Sequence, residues 1–218
     1  MKKVNDLFDN VYCINLDRRQ DRWERVKKLF DDQGVTLTRF SAVDGECLHI
    51  PENIPIGWRR DKHHNKFSIA CTMSHLELLK QAVEKGEKEI LVLEDDAHPC
   101  SNFNELFIDY YSQLPPYFNI CYVGGNNISN PRRVEENVSL ITFTKTTVGY
   151  IIRLNYMKEI IPVIEENKWL WVIDEIYITL QRQLDPFYIF NPRLVHQFVS
   201  HSDITGEEAA YNSMKDLD

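Results

Sequence analysis

Hydrophobic positions follow two periods along the chain, and each change of period marks an element. Val11 to Leu16 (V-Y-C-I-N-L) is a short, largely apolar run, the pattern of a buried strand. Trp23, Val26, Leu29 and Phe30 then recur at helical spacing. Asp17 stands as the N-cap of that helix, with Gln20 three residues on, and Gly34 marks its end. Thr36 to Phe40 reads as a second strand. A strand–helix–strand opening predicts an α/β fold with a parallel sheet. Residues 44–67 carry no periodicity and contain two prolines and two glycines. A loop this long inside a compact domain is usually functional or mobile.

The pattern then predicts a helix over Ala70–Lys85, closed by Gly86, and a strand over Ile90–Leu93. A helix over Phe103–Leu114 stops at Pro115-Pro116. A strand over Phe118–Val123 ends at Gly124-Gly125, and Asn126–Glu136 reads as a polar loop. Leu140–Phe143 and Val148–Arg153 read as strands. Tyr156–Asn167 is helical, but Pro162 inside it is expected to kink or split it. Ile173–Leu184 is a further helix, Phe187–Phe190 a last strand, and the tail after Ser200 is polar.

Composition narrows the function classes. With 218 residues and 43% hydrophobic side chains the chain can bury one substantial core. Its 25 basic and 33 acidic residues give a net charge of −8 (25 − 33), which argues against nucleic acid as a partner. No apolar run follows the two N-terminal lysines, and no stretch approaches about 18 consecutive apolar residues. The expectation is a cytoplasmic protein without an integral membrane segment. Five cysteines at wide spacing form no C-x-x-C pair and suit neither a zinc site nor a disulfide framework. Cys13, Cys71 and Cys121 sit among apolar neighbours, as small core residues do.

Four segments carry candidate chemistry. In I-L-V-L-E-D-D, residues 90–96, a buried strand delivers Glu94, Asp95 and Asp96 to its C-terminal end, where ligands bind in open α/β sheets. A hard divalent cation with a diphosphate would offset three clustered carboxylates. A solvated acidic turn is the plainer reading. Asn15, Asp17, Arg18 and Arg22 cluster where the first strand meets the first helix, a junction suited to phosphate, or else a cap and a solvated helix face. Ser74 and His75 lie in S-I-A-C-T-M-S-H, residues 68–75, on an apolar helix face. There His75 can be a satisfied core side chain and Ser74 a hydroxyl bonded to its own helix. Asp174 and Glu175 open the Ile173–Leu184 helix. Asp174 either favours the helix dipole or acts as a general base. His63-His64 reads as exposed loop.

Taken together these segments resemble glycosyltransferase family 25, which includes lipopolysaccharide and lipooligosaccharide galactosyltransferases and collagen galactosyltransferases. The resemblance rests on I-N-L-D-R-R-Q-D-R-W-E-R, R-F-S-A-V-D-G at 39–45, C-T-M-S-H at 71–75, L-V-L-E-D-D at 91–96, V-G-Y-I-I at 148–152 and I-D-E at 173–175, in order along almost the whole chain. Ala70 departs from it, standing where the family usually has glycine. The resemblance implies a single GT-A type α/β domain over residues 1–218, with a central, mostly parallel sheet flanked by helices. A nucleotide-sugar half would span about 1–125, an acceptor-side half about 126–200 and a polar tail 201–218.

It further implies a UDP-sugar donor, galactose or glucose, with Mn2+ or Mg2+ as cofactor. A glycan, glycolipid or protein hydroxyl would be the acceptor, with peripheral membrane contact if the acceptor is lipid-linked. Asp96 would be the metal ligand, with Glu94 in the metal or ribose shell, Asp95 beside them and His201 as a third metal or diphosphate contact. Asn15, Asp17 and Arg18 would line the uridine side, near Asp44. Ser74 and His75 would support the pocket wall, and Asp174 would be the base. The alternative is a non-catalytic module of the same fold that binds a nucleotide sugar or a protein. A nucleotidyltransferase ranks last, because no glycine-rich phosphate loop is present.

Overall fold

A computed structural model describes residues 2–51, 66–183, 186–198 and 202–204. In chain order, after a 3-10 turn at Val4–Asp6, the elements are β1 (Asn10–Asn15), α1 (Gln20–Asp32), β2 (Thr38–Ser41), α2 (Lys66–Lys85), β3 (Glu89–Glu94), β4 (Ala97–Pro99), α3 (Phe103–Ser112), β5 (Ile120–Asn127), β6 (Arg132–Arg133), β7 (Val138–Ile141), β8 (Thr144–Arg153), α4 (Leu154–Asn167), α5 (Ile173–Gln183), β9 (Phe187–Phe190) and β10 (Val195–Gln197). Eight strands form one sheet in the order β2-β1-β3-β8-β5-β9-β7-β6. Strands β8 and β7 run against the direction of the other six. The sheet is thus mostly parallel, with β8 wedged antiparallel between β3 and β5. Strands β4 and β10 form a separate antiparallel pair.

Strand alternation divides the core in two. Val11, Cys13, Leu91 and Leu93 face one side, against Val26 and Phe30 of α1 and Phe103 and Phe107 of α3. Tyr12, Ile14, Ile90 and Val92 face the other, against Leu76, Leu78 and Leu79 of α2, Met157 and Ile160 of α4, and Tyr177 and Leu180 of α5. Helices therefore cover both faces of the sheet, and the inner strands β1 and β3 carry apolar runs, Val11–Ile14 and Ile90–Leu93, because both their faces are buried. Among the described residues no helix is long and apolar enough to cross a membrane.

Several expectations need correction. Helix α1 begins at Gln20 with Arg19 as N-cap, and Gln20 reaches back to the Asp17 carbonyl, so Asp17 caps nothing. Pro162 neither splits nor ends α4, which runs unbroken over Leu154–Asn167. Pro162 and Lys158 both face solvent, so the Lys158 carbonyl left without an amide partner is open to water. Strand β5 runs through Gly124 and Gly125 instead of ending before them. A Cβ on Gly124 would come within 2.5 Å of the Val195 carbonyl, so only glycine lets β10 lie this close to β5. Arg132–Arg133 forms a short edge strand inside the expected polar loop.

Candidate functional site

A cavity of about 590 Å³ opens at the C-terminal ends of β1 and β3. The chain reverses there from strand to helix or turn, so the strand ends aim their side chains outward past the core. The cavity is bounded by α2, the start of β8, the N-terminus of α5, Gln197 of β10 and residues 202–204.

Glu94, Asp95 and Asp96 all line it, and each has a different partner. Glu94 follows the alternation of β3 towards α2 and β8. Its Oε1 accepts from His75 Nε2 at 3.3 Å and from the Thr147 hydroxyl at 2.6 Å. Burial pushes the Glu94 carboxyl up, but His75 and Thr147 outweigh it and hold the group below its ordinary range. Asp95 points to the opposite side, towards α1. It accepts from Asn15 Nδ2 at 2.8 Å and from the Arg22 guanidinium at 2.9 Å. Burial raises its pKa, with Arg22 and Asn15 opposing.

Asp96 lies in the turn between β3 and β4. Its Oδ2 accepts from Gln197 Nε2 at 2.8 Å, while its Oδ1 is buried without a hydrogen-bond partner. Burial, with the neighbouring charges of Glu94 and Asp95, pushes its pKa up to about 7. Asp174, in the first turn of α5, faces the same cavity. Burial, then the charge of Glu94, raises it to about 6, opposed by the Thr146 N–H that donates to its Oδ2 at 3.0 Å.

The entry of β8 supplies the floor. Gly149 pairs with Gly124 and Lys145 with Asn126, so three residues of β8 stand opposite one of β5. This bulge turns Thr146 and Thr147 into the cavity. One donates its backbone N–H to Asp174 and the other its hydroxyl to Glu94. Thr146 adopts φ +66°, a left-handed conformation that is unfavourable for a β-branched residue.

His75 is fully buried and both ring nitrogens are engaged. Nδ1 accepts from the Tyr150 hydroxyl at 2.9 Å, which itself accepts from Tyr177 at 3.4 Å. The Nε2 proton then goes to Glu94, the tautomer that satisfies the whole chain of bonds. Ser74 donates to the Ala70 carbonyl at 2.8 Å and accepts the Val43 N–H at 2.9 Å, which ties the segment after β2 to α2. Cys71 is not a core residue: it is half-buried and lines the cavity beside His75.

Of the remaining expected site residues, those described lie around the cavity, not in its lining. Asn15 supports Asp95 and is itself held by Arg39 Nε at 2.8 Å. Asp17 is exposed and bonds Ser41 and Arg39. Arg18 bridges Asp44 at 3.0 Å and Asp203 at 2.8 Å. Asp203, also bonded by Arg19 and within 3.7 Å of Arg22, does line the cavity. These arginines outweigh the effect of burial and hold its carboxyl below the ordinary range. His201, His63 and His64 lie outside the described residues. Sequence reasoning missed Thr146, Thr147, Gln197 and Asp203. Only the two threonines carried a signal, standing just before the glycine and tyrosine of V-G-Y.

Residues 8–148 match the sequence profile described as glycosyltransferase family 25 (LPS biosynthesis protein). The chain belongs to glycosyltransferase family 25. A family member from Drosophila melanogaster is 30% identical over 162 residues, covering 67% of this chain and 26% of that protein. Human procollagen galactosyltransferase 2 is 25% identical over 171 residues, covering 71% of this chain and 27% of its own length. The chain thus spans about a quarter of the length of these family 25 relatives. Among solved structures, a glycosyltransferase involved in glycosylating the major capsid of PBCV-1 aligns with TM-score 0.52 at 10% identity. That alignment covers 88% of this chain and 93% of the viral one, a likeness of fold.

Proposed function

We propose that this chain is a metal-dependent glycosyltransferase that moves a hexose, galactose or glucose, from a UDP-sugar to a hydroxyl of a glycan, glycolipid or protein. The observation that carries this reading is the pair of carboxylates facing one cavity. Asp96 has an unpartnered buried oxygen and a pKa raised to about 7, and Asp174 is raised to about 6.

The two fit different tasks. An orphaned carboxylate oxygen beside a second acidic group suits a hard divalent cation, Mn2+ or Mg2+, which takes oxygen ligands and phosphate. Asp96, with Glu94 beside it, would hold that cation, which when bound supplies counter-charge to the departing diphosphate. Asp174, with a pKa near 6, is ionised at neutral pH yet basic enough to take a proton. It would accept the acceptor hydroxyl's proton as that oxygen bonds the anomeric carbon and the carbon–oxygen bond to UDP breaks. Thr146 N–H holds the carboxylate in place for this step. Arg18, Arg19 and Arg22, gathered at the start of α1, add positive charge on the nucleotide side.

UDP release from UDP-galactose and UDP-glucose, with and without Mn2+, tests the reading. Turnover with one donor should require metal, fall sharply in Asp96→Asn and be lost in Asp174→Asn. Donor binding without turnover would favour the non-catalytic module. Absence of metal-dependent donor binding by calorimetry would reject the transfer reading and the nucleotide-sugar-binding module alike, leaving only a protein-binding one.

A further inference from the structure

Among the described residues, one group of three metal-ligating side chains brings its donor atoms within 4.8 Å of one another. It consists of Cys71 Sγ, a ring nitrogen of His75 and a carboxylate oxygen of Glu94. The arrangement follows from the fold. Cys71 and His75 are four residues apart on α2, so they project from one face of the helix. This is the spacing by which a helix offers two ligands to one ion. Glu94 reaches the same point from the end of β3, and all three line the cavity.

We propose that Cys71, His75 and Glu94 form a binding site for a soft divalent cation of the Zn2+ class, next to Asp96 and sharing Glu94 with the hard-cation role proposed above. Donor chemistry separates the two roles. A thiolate, an imidazole and a carboxylate suit zinc, whereas Mn2+ and Mg2+ favour all-oxygen sets. Three protein ligands with a fourth position open to the cavity is the composition of a zinc site that exchanges its outer ligand.

The surrounding shell is already built. Tyr150, backed by Tyr177, fixes the His75 ring through Nδ1 and turns Nε2 towards Glu94. Thr147 fixes the Glu94 carboxylate at 2.6 Å. Such outer partners set ligand orientation in metal sites. Without metal, Nε2 donates to Glu94 across 3.3 Å. The ion takes the place of that proton, and the Cys71 thiol releases its own on binding. A zinc tetrahedron separates its ligand atoms by roughly 3.4–3.7 Å, and donor atoms within 4.8 Å of one another reach that spacing by closing at most about 1.4 Å, within reach of a cysteine side-chain rotation. Asp96 and Asp174 add negative potential around the point.

Cobalt distinguishes this site, because Co2+ ligated by thiolate absorbs in the near ultraviolet and Co2+ ligated by oxygen does not. Metal-stripped, reduced full chain titrated with Co2+ should develop that band at one equivalent, and Zn2+ should abolish it. In Cys71→Ser the band should vanish and Zn2+ affinity should fall about tenfold or more. Asp96→Asn should keep the band. Metal-free melting curves check that both variants are folded. The proposal is overturned by a Co2+ complex without the band, by a band that survives Cys71→Ser, or by a Zn2+ affinity unchanged in that variant. Loss of the band in Asp96→Asn would overturn the separation from the hard-cation role. No nucleotide sugar enters the titration, so its result stands apart from the transfer reading.

Discussion

Thr146 donates its backbone N–H to the Asp174 carboxylate at 3.0 Å from a left-handed conformation, φ +66°. Holding a non-glycine residue there costs about 1–2 kcal/mol. Thr146→Gly removes that cost while keeping the N–H, and glycine gives back roughly 0.5–1 kcal/mol through a freer unfolded chain. The variant should therefore be as stable as the parent or about 1 kcal/mol more so, with an unchanged pH profile. A clear drop in thermal stability would show that the threonine side chain, and not the backbone bond, secures this bulge.

The raised pKa of Asp174, about 6, sets a pH dependence for transfer. The rate should climb about tenfold per pH unit below 6, as the base ionises, and level off above it. Asp174→Asn should lose roughly a hundredfold or more at every pH. Initial rates of UDP release between pH 5 and 8 check both statements. A profile without this limb would remove Asp174 from the role of base.

Asp96 links pH to stability with a definite sign. Its pKa rises from 3.8 to about 7 on folding, so between these values the folded chain binds more protons than the unfolded one. Its contribution is most favourable below pH 4, declines as pH rises through 4 to 7 and is flat above. Asp96→Asn cannot ionise. The melting temperature of that variant relative to the parent should therefore rise across this window in metal-free buffer. Added Mn2+ should raise the parent's melting temperature more at pH 7.5 than at pH 5, because the ion binds the ionised carboxylate.

Arg22 and Asp95 form an ion pair with side chains only 8% and 10% exposed. Arg22→Met leaves the Asp95 charge buried with Asn15 as its remaining side-chain partner. That should cost about 3–5 kcal/mol in urea unfolding at pH 7. Adding Asp95→Asn should recover part of the loss, since the pair is coupled. Full additivity of the two substitutions would show that Arg22 acts through Asp203 instead.

Much of this architecture is written locally. Ile90–Leu93 and Val11–Ile14 are apolar on both faces because helices cover both sides of the sheet, and such runs are legible without a partner in view. Glu94, Asp96 and Asp174 stand out for a similar reason: carboxylates next to buried elements mark strand ends and helix starts. What stayed hidden depends on distant segments. Gln197 meets Asp96 across 101 residues and Thr147 meets Glu94 across 53. No periodicity encodes such meetings, and the β4–β10 pair was missed for the same cause. Asn15, Asp17, Arg18 and Arg22 read as a cluster from the sequence, but which side of the cavity wall each occupies depends on how Arg18, Arg19 and Arg22 share Asp44, Asp203 and Asp95. Pro162 misled because its effect depends on which way it faces.

The antiparallel wedge of β8 has a consequence for the order of assembly. Strands β3 and β5 can each form their parallel partnerships early or late, but neither meets the other except through residues 144–153. A nascent chain ending near residue 125 would leave the β8-facing edge of Ile90–Leu93 and both edges of Ile120–Val123 unpaired and strongly apolar, because β8 and β9 come later in the chain. The closing strand brings Thr146 and Thr147 with it, so the strand that joins β3 to β5 also builds the cavity floor, while β9, later in the chain, still has to join β5 to β7. A chain stalled before that strand docks is both unfinished as a site and sticky as a surface.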